Sequence, residues 1–365
     1  MTVSMIDLKA MHHALADEIN SAVQDVLESG WYILGAQVQA FEAAFAGYHG
    51  VAHAVAVANG TDAIELALRA HDIGPGDEVI TVAHTAMPTV TAVERAGATP
   101  VLVDILPDTY TMDPAAAEAA ITPRTKAIIP VHLYGHPVDI TAFQAITEKH
   151  GLLLLEDCAQ SHGATYDGQL TGTFGHIAAF SFYPTKNLGA YGDAGAIITN
   201  DDAVADKLRR LRNYGQETRY HNVQRGVNSR MDDLQATILN VKLRYLDQHN
   251  EVRRQLATTY TSALGQVTRP IERPDNKHVY HLYVIRLAER DALRDHLQAN
   301  GVQTTIHYPV PIHRQQSHQD LGYVEGSLPV TEAAAREIVS LPLYVQLASP
   351  EQQHVIDLIQ AFTAH

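Results

Sequence analysis

The chain is poor in the residues that define several protein classes. It has one cysteine in 365 residues, Cys158, so no internal disulfide can form, and a thiolate metal centre is not expected. Basic side chains are scarce, 26 against 41 acidic ones, and the formal charge of −15 repels nucleic acid and anionic lipid alike. No basic run offsets that balance. Long apolar runs are missing too. "GLLLL" at 151–155 is far too short to span a bilayer, and "MTVSMIDLKAMHH" lacks the charged-then-apolar pattern of a signal peptide. Histidine is plentiful at 21, yet His132/His136, His278/His281 and His307/His313 have no HExxH spacing and fall on separate elements, so no metal is expected. With 46% apolar and 18% charged residues, the composition is that of a globular chain, and a soluble cytoplasmic protein is the expectation.

What the chain does have is rhythm. Between residues 50 and 200, short apolar runs alternate with amphipathic segments: "HAVAVA" (53–58), "DEVITVAH" (77–84), "TPVLVDI" (99–105), "TKAIIPVHLYG" (125–135) and "GLLLLEDCA" (151–159). Strands interleaved with helices predict an α/β fold, a mostly parallel sheet flanked by helices, whose ligands gather beyond the carboxyl ends of the strands. The polar residues trailing those runs therefore matter most: Asn59–Thr61, His84–Thr85, His132, Tyr134, Asp157 and Gln160. After about residue 230, "MDDLQATILNVKLRYLDQHNEVRRQLATTYTSAL" reads as one long connecting helix. A strand over 278–287, a helix closed by Gly301 and a helix at "EAAAREIV" follow. The expected division is a large αβα domain over 1–245 and a small α+β domain over 246–365.

Three features carry chemistry. In "VANGTDAIELAL" a strand gives way to a helix at Asn59–Gly60, where Thr61 or Asp62 is expected as the cap and the free N–H groups form an anion site; plain capping explains the same residues. "IGPGDEV" (73–79) precedes a strand rather than following one and so is no dinucleotide fingerprint. In "LLLLEDCAQSHGA" adjacent carboxylates, Glu156 and Asp157, end a strand, and alternation sends one to each face. In "SFYPTKNLGAYGDAGAII" a single lysine, Lys186, stands among glycines, aromatics and small apolar residues. A desolvated lysine has a depressed pKa and can attack a carbonyl to form a Schiff base; the alternative is a surface lysine on an apolar stem. Together, a phosphate cradle (Gly60, Thr61, Ser181), an acid for a pyridinium (Asp157) and the lysine fit pyridoxal phosphate.

The stretches "NGTDAIELAL", "GPGDEVITVAHT", "GATPVLVDI", "ITPRTKAIIPVHLYGHP", "EDCAQSHGA", "AFSFYPTKNLGAYGDAGAIIT", "LRNYGQ" and "NSRMDDLQA" closely resemble the DegT/DnrJ/EryC1/StrS family of sugar aminotransferases, from "SGWYILG" to "VSLPLY". The resemblance implies a fold-type I aminotransferase dimer with sites at the subunit interface. It implies that Lys186 carries the pyridoxal phosphate and shuttles protons. Asp157 would hold the pyridine nitrogen protonated, and Gln160 would stand near the phenolic oxygen. Gly60, Thr61 and Ser181 would bind the phosphate, and Asn228 would reach it from the other subunit. Lysine rather than histidine at 186 favours transamination over dehydration. "VHLYGHP" and "IHYPVPIH" look most like enzymes acting at C3 of dTDP-3-keto-6-deoxyhexoses with L-glutamate as donor, and C4 transfer is the runner-up. Tyr183, Arg219, His221, His307 and Tyr308 are candidates for sugar or pyrophosphate contacts. One position departs from the family: the residue after His84–Thr85, often an aromatic stacked on the pyridine, is Ala86, and Met87 or a neighbour is expected to take over. A regulatory protein without turnover and a lyase using the same cofactor are the competing readings. Against the first stand Lys186, Asp157 and the lack of any helix-turn-helix or basic region.

Overall fold

The computed structural model describes residues 1–364. Seven strands form the main sheet: β1 (His53–Val57), β2 (Glu78–Val82), β3 (Thr99–Val103), β4 (Thr125–Ile128), β5 (Leu153–Asp157), β6 (Ile177–Ser181) and β7 (Gly195–Thr199). Their spatial order is β1-β7-β6-β5-β4-β2-β3. Strands β6, β5, β4, β2 and β3 pair parallel, whereas β7 runs antiparallel to both β6 and β1. The α/β fold read from the alternation is the fold observed. Strands β2 and β7 are buried along their whole length, as expected of a sheet covered on both faces.

The helices that matter are α1 (Ala16–Ser29), α2 (Ala36–His49), α3 (Gly60–Ala70), α4 (Met87–Arg95), α5 (Ile140–His150), α6 (Asp202–Leu211), α7 (Asp233–Leu243) and α8 (Leu246–Ala263). On one face of the sheet, α3 buries Ile64, Leu66, Ala67 and Leu68 against Val55, Val79 and Ile197. On another, α2 contributes Phe41 and Phe45 to a cluster with Phe180 and Phe182. Each fully buried Phe or Leu contributes roughly 1.5–3 kcal/mol of transfer free energy.

Three details differ from the sequence reading, the first being that the strand expected over 278–287 is confined to Tyr283–Arg286. The stretch after residue 230 is two helices rather than one, because the chain turns at Arg244–Tyr245. Both residues there are tied to Glu18 of α1, Arg244 Nη2 and Tyr245 Oη each donating to its carboxylate at 2.5 Å. The helix at "EAAAREIV" also stops at Glu337, and Ile338–Leu341 continues as a strand paired antiparallel with Tyr283–Arg286.

That strand pair and the helices Arg290–Ala299 and Ser349–Thr363 surround a second core with Tyr260, Leu293, Val302 and Val355. A division near residue 245 is our proposal, and the two parts are closely joined: Asn276–Lys277 pairs with Thr165–Tyr166, and Leu282 and Val284 pack with Ile80 and Phe143. Val3 lies in this second core, and its N–H donates to Gly301 O at 2.9 Å. No helix among the described residues is long and apolar enough to cross a membrane.

Candidate active site

The carboxyl ends of β1, β5 and β6 meet the start of β7 at one place. Gly195 is paired with Val57 on one side and Ser181 on the other, so the β1–α3 turn and the lysine loop, 182–194, open onto the same cleft. It has a volume of about 210 Å³ and is walled by Asn59–Thr61, Thr85, Ala86, Asp157, Gln160, Ser181, Tyr183 and Lys186.

The cradle begins at α3. Asn59 is extended, with φ −166° and ψ 174°, and its side chain accepts from Asp62 N–H at 2.8 Å. Asn59 is thus the cap, not Thr61 or Asp62 as the sequence reading had it, because its extended backbone points the amide oxygen at the first turn. The N–H groups of Gly60 and Thr61 are not part of that bond, and both residues line the cleft at the positive end of the helix dipole, a place suited to an anion. A side chain at 60 would not fit: its Cβ would lie 2.6 Å from Ser181 Cβ. Chain and helix start are therefore drawn tightly against Ser181.

The acidic pair divides as the alternation predicts. Glu156 turns away from the cleft, accepting from Gly172, Phe174 and Gly175 N–H at 2.7–2.9 Å and from His132 Nε2 at 3.0 Å. Burial raises its carboxyl pKa, but His132 and these donors outweigh it and hold it below the ordinary range. Ligand atoms of His132, Glu156 and Cys158 lie close together, but both ring nitrogens of His132 are occupied, since Nδ1 accepts from Val138 N–H at 3.1 Å. Asp157 faces the cleft. Thr89 Oγ1 donates to its Oδ2 at 2.9 Å and Ala159 N–H to its Oδ1 at 3.1 Å. Burial pushes its pKa up, only partly countered by those donors and by Lys186. A buried carboxylate with two neutral donors and no ion pair among the described residues has room for a cation, and a protonated pyridine nitrogen is one.

Lys186 sits at the other wall, half-buried, with its N–H on Tyr183 O at 2.8 Å. Desolvation lowers its amine to about 8 against the pull of Asp157. The loop is pinned from behind. Asn187 Nδ2 donates to Asn250 Oδ1 at 2.8 Å and Val279 O at 3.0 Å, Tyr191 N–H donates to Gln235 Oε1 at 2.9 Å, and Lys242 Nζ donates to Gly189 O at 2.5 Å. Lys242 and Thr89 escaped the sequence reading. Nothing in "NVKLRY" or "MPTV" marks them, since their partners lie 53 and 68 residues away.

The other candidates divide into two groups. Tyr308 comes to the site, accepting from Gln160 Nε2 at 3.1 Å, and His307 precedes it with Nδ1 2.8 Å from Ser340 Oγ. Tyr183 stands at the mouth, 53% exposed. Arg219 and His221 lie on the exposed hairpin that pairs Gln216–Thr218 with His221–Asn222, and Asn228 is exposed just after it. None of these three lines the cleft of its own chain. Ala86 is in the wall, but Met87 packs away from it against Ala83, Val90 and Leu102, so the expected replacement by Met87 does not hold. Thr85 and Pro88 are the wall residues on either side of Ala86 and Met87.

Residues 13–360 match the model of the DegT/DnrJ/EryC1/StrS aminotransferase family. The chain belongs to this family. It is 46% identical over 361 residues, 98% of this chain and 95% of the relative, to dTDP-3-amino-3,4,6-trideoxy-alpha-D-glucose transaminase of Streptomyces venezuelae. The structure superposes on S. venezuelae DesV, solved in complex with a ketimine intermediate, with a TM-score of 0.98 and 46% identity over 100% of this chain and 99% of that one. The sugar aminotransferase Spr1654 of Streptococcus pneumoniae, described as putative, has been solved in its PLP and PMP forms. At 26% identity it gives a TM-score of 0.91 over 95% of this chain and 95–96% of that one. The chain is an aminotransferase, and pyridoxal phosphate, expected from the cradle, the acid and the lysine, is the cofactor seen in such neighbours.

Proposed function

We propose that this chain transfers the amino group of L-glutamate to the keto carbon of a nucleotide-linked deoxyhexose, using pyridoxal phosphate held by Lys186. C3 of a dTDP-3-keto-6-deoxyhexose is the acceptor we favour, and the product is then a dTDP-3-amino-3,6-dideoxyhexose. The observation that carries this reading is the meeting of Lys186 and Asp157 at the walls of one cleft that also holds the start of α3. The nearly identical fold of DesV supports it, as does the 46% identity to a transaminase whose name carries a 3-amino sugar.

When bound, pyridoxal phosphate supplies an electron sink that no side chain has. The protein's own contributions follow from the geometry. Free N–H groups of Gly60 and Thr61, with Ser181 Oγ, bind the phosphate. Asp157, fixed by Thr89 and Ala159, keeps the pyridine nitrogen protonated. Lys186, with its amine lowered to about 8, loses its proton far more readily than an ordinary lysine and can take up and return a proton at Nζ. His307 and Tyr308 offer hydrogen-bonding groups for sugar hydroxyls, and Tyr183 stands where a bulky nucleotide would enter. In a homodimer, Asn228 of each chain completes the other's phosphate site, and Arg219 and His221 lie on the same exposed arm.

The test is an assay of the purified protein with glutamate and a panel of 3-keto and 4-keto nucleotide sugars on dTDP, UDP and GDP. Release of 2-oxoglutarate with the dTDP-3-keto sugar alone supports the reading in full. Release with a 4-keto sugar alone moves the reaction to C4. Sugar turnover without a donor makes the protein a lyase, and no turnover on any sugar removes the enzymatic reading.

A further inference from the structure

Tyr134 lies at a junction that the chemistry above does not use. It is buried and left-handed, with φ 60° and ψ 3°, an uncommon conformation for a tyrosine that its surroundings hold in place. Four bonds do so. Its N–H donates to Gln160 Oε1 at 2.7 Å, and its carbonyl accepts from Leu282 N–H at 3.3 Å. Its hydroxyl lies 2.8 Å from His84 Nε2 and donates to the carbonyl of His307.

The proton directions along this chain are determined. A carbonyl can only accept, so the Tyr134 hydroxyl gives its hydrogen to His307 and must receive one from His84 Nε2. Burial holds His84 at about 4, so its ring is the neutral tautomer with the proton on Nε2. A main-chain N–H can only donate, which turns Oε1 of Gln160 towards Tyr134 and its NH₂ towards Tyr308. The Tyr308 hydroxyl therefore accepts from Gln160 at 3.1 Å and keeps its own hydrogen free to donate. Burial keeps that phenol protonated, its pKa pushed up to about 12.

We propose that Tyr134 is a positioning residue that locks Gln160 and Tyr308 into a two-donor pair for the cofactor's phenolic oxygen. One bond of the lock runs through its main-chain N–H to Gln160, and the other through its hydroxyl to the 307–308 segment. The proposal rests on the reading of Gln160 as the residue beside that oxygen. Donors there stabilise the oxygen's negative form and weaken its hold on the proton that it shares with the nitrogen of Lys186. Removing a donor must therefore raise the pH at which the visible band of the bound cofactor changes.

The experiment is a spectrophotometric pH titration of the holoenzyme in wild type, Tyr308→Phe and Tyr134→Phe. Tyr134→Phe keeps the bond to Gln160 and loses only the hydroxyl contacts. We expect an upward shift of about one pH unit for Tyr308→Phe, the size of one such hydrogen bond, and a smaller shift in the same direction for Tyr134→Phe. A merely structural tyrosine would lower the melting temperature and leave the titration in place. An unchanged titration in either folded variant overturns the assignment. Should Tyr134→Phe fail to fold, an unshifted Tyr308→Phe still overturns it. A wild-type protein with no visible band at all removes the cofactor reading, and this assignment with it.

Discussion

Lys242 of α7 donates its buried ammonium to the carbonyl of Gly189, three residues beyond Lys186, and lies 4.7 Å from the centre of the Tyr191 ring. The lysine loop is therefore braced by a second lysine. Position 189 admits no side chain, because a Cβ there would lie 2.5 Å from Pro184 O. Lys242→Met keeps the apolar stem and leaves that carbonyl without its donor. Removing the buried ammonium also relieves a desolvation cost that offsets the lost bond, so we expect little net change in urea unfolding but weaker cofactor retention on dialysis. Wild-type retention would show that the brace is idle.

The buried amine of Lys186 gives stability a pH signature. Its pKa falls from the ordinary 10.5 to about 8 on folding, so the unfolded chain binds more protons between those values. The cost of burying the ammonium is thus fully present below about pH 8 and fades as the pH rises towards 10.5. Cofactor-free Lys186→Met should be more stable than wild type near pH 7, by on the order of 3 kcal/mol at most, and the gap should close above pH 8. A gap that stays constant up to pH 10 contradicts the depressed pKa.

The cradle has no slack at Gly60. Gly60→Ala places a methyl carbon against Ser181, so either the helix start or Ser181 must shift. Fluorescence titration should show the dissociation constant for pyridoxal phosphate rising about tenfold or more, as expected for a strain of about 1–3 kcal/mol. Wild-type affinity in Gly60→Ala would place the phosphate elsewhere.

Much of this was legible in the sequence. The runs at 53–58, 77–84, 99–105 and 151–159 contain β1, β2, β3 and β5, because buried parallel strands are written as short apolar runs between breakers. That Asp157 and the Gly60 turn follow strands, and that Lys186 stands among small and aromatic residues, was equally visible, and the structure brings the three to one cleft. What was hidden depends on distant partners. The turn at Arg244–Tyr245 is tied to Glu18, some 226 residues away, and no proline or glycine marks it. Asn59 caps α3 rather than Thr61 because of its backbone conformation, which composition does not reveal. Tyr134 stood out only as a polar residue after a strand. Its left-handed backbone and its bonds to His84 and His307 needed coordinates.

The proposed homodimer with a site shared through Asn228 can be tested in solution. Asn228→Ala should bind the cofactor more weakly, and Lys186→Ala should not be able to tether it. A hybrid of the two variants should regain one tight, tethered site per dimer, since one cleft then has both Lys186 and the partner's Asn228. Wild-type affinity in Asn228→Ala, or no recovery in the hybrid, contradicts the shared site.

The most direct measurement is borohydride reduction of the protein saturated with pyridoxal phosphate, followed by peptide mass spectrometry. Two amines in this region are lowered to about 8, those of Lys186 and Lys242, so low pKa alone does not select between them. The cleft with Asp157 and the start of α3 does select, and the phosphopyridoxyl adduct is predicted on Lys186 alone. An adduct on Lys242, or none at all, would contradict the account at its centre.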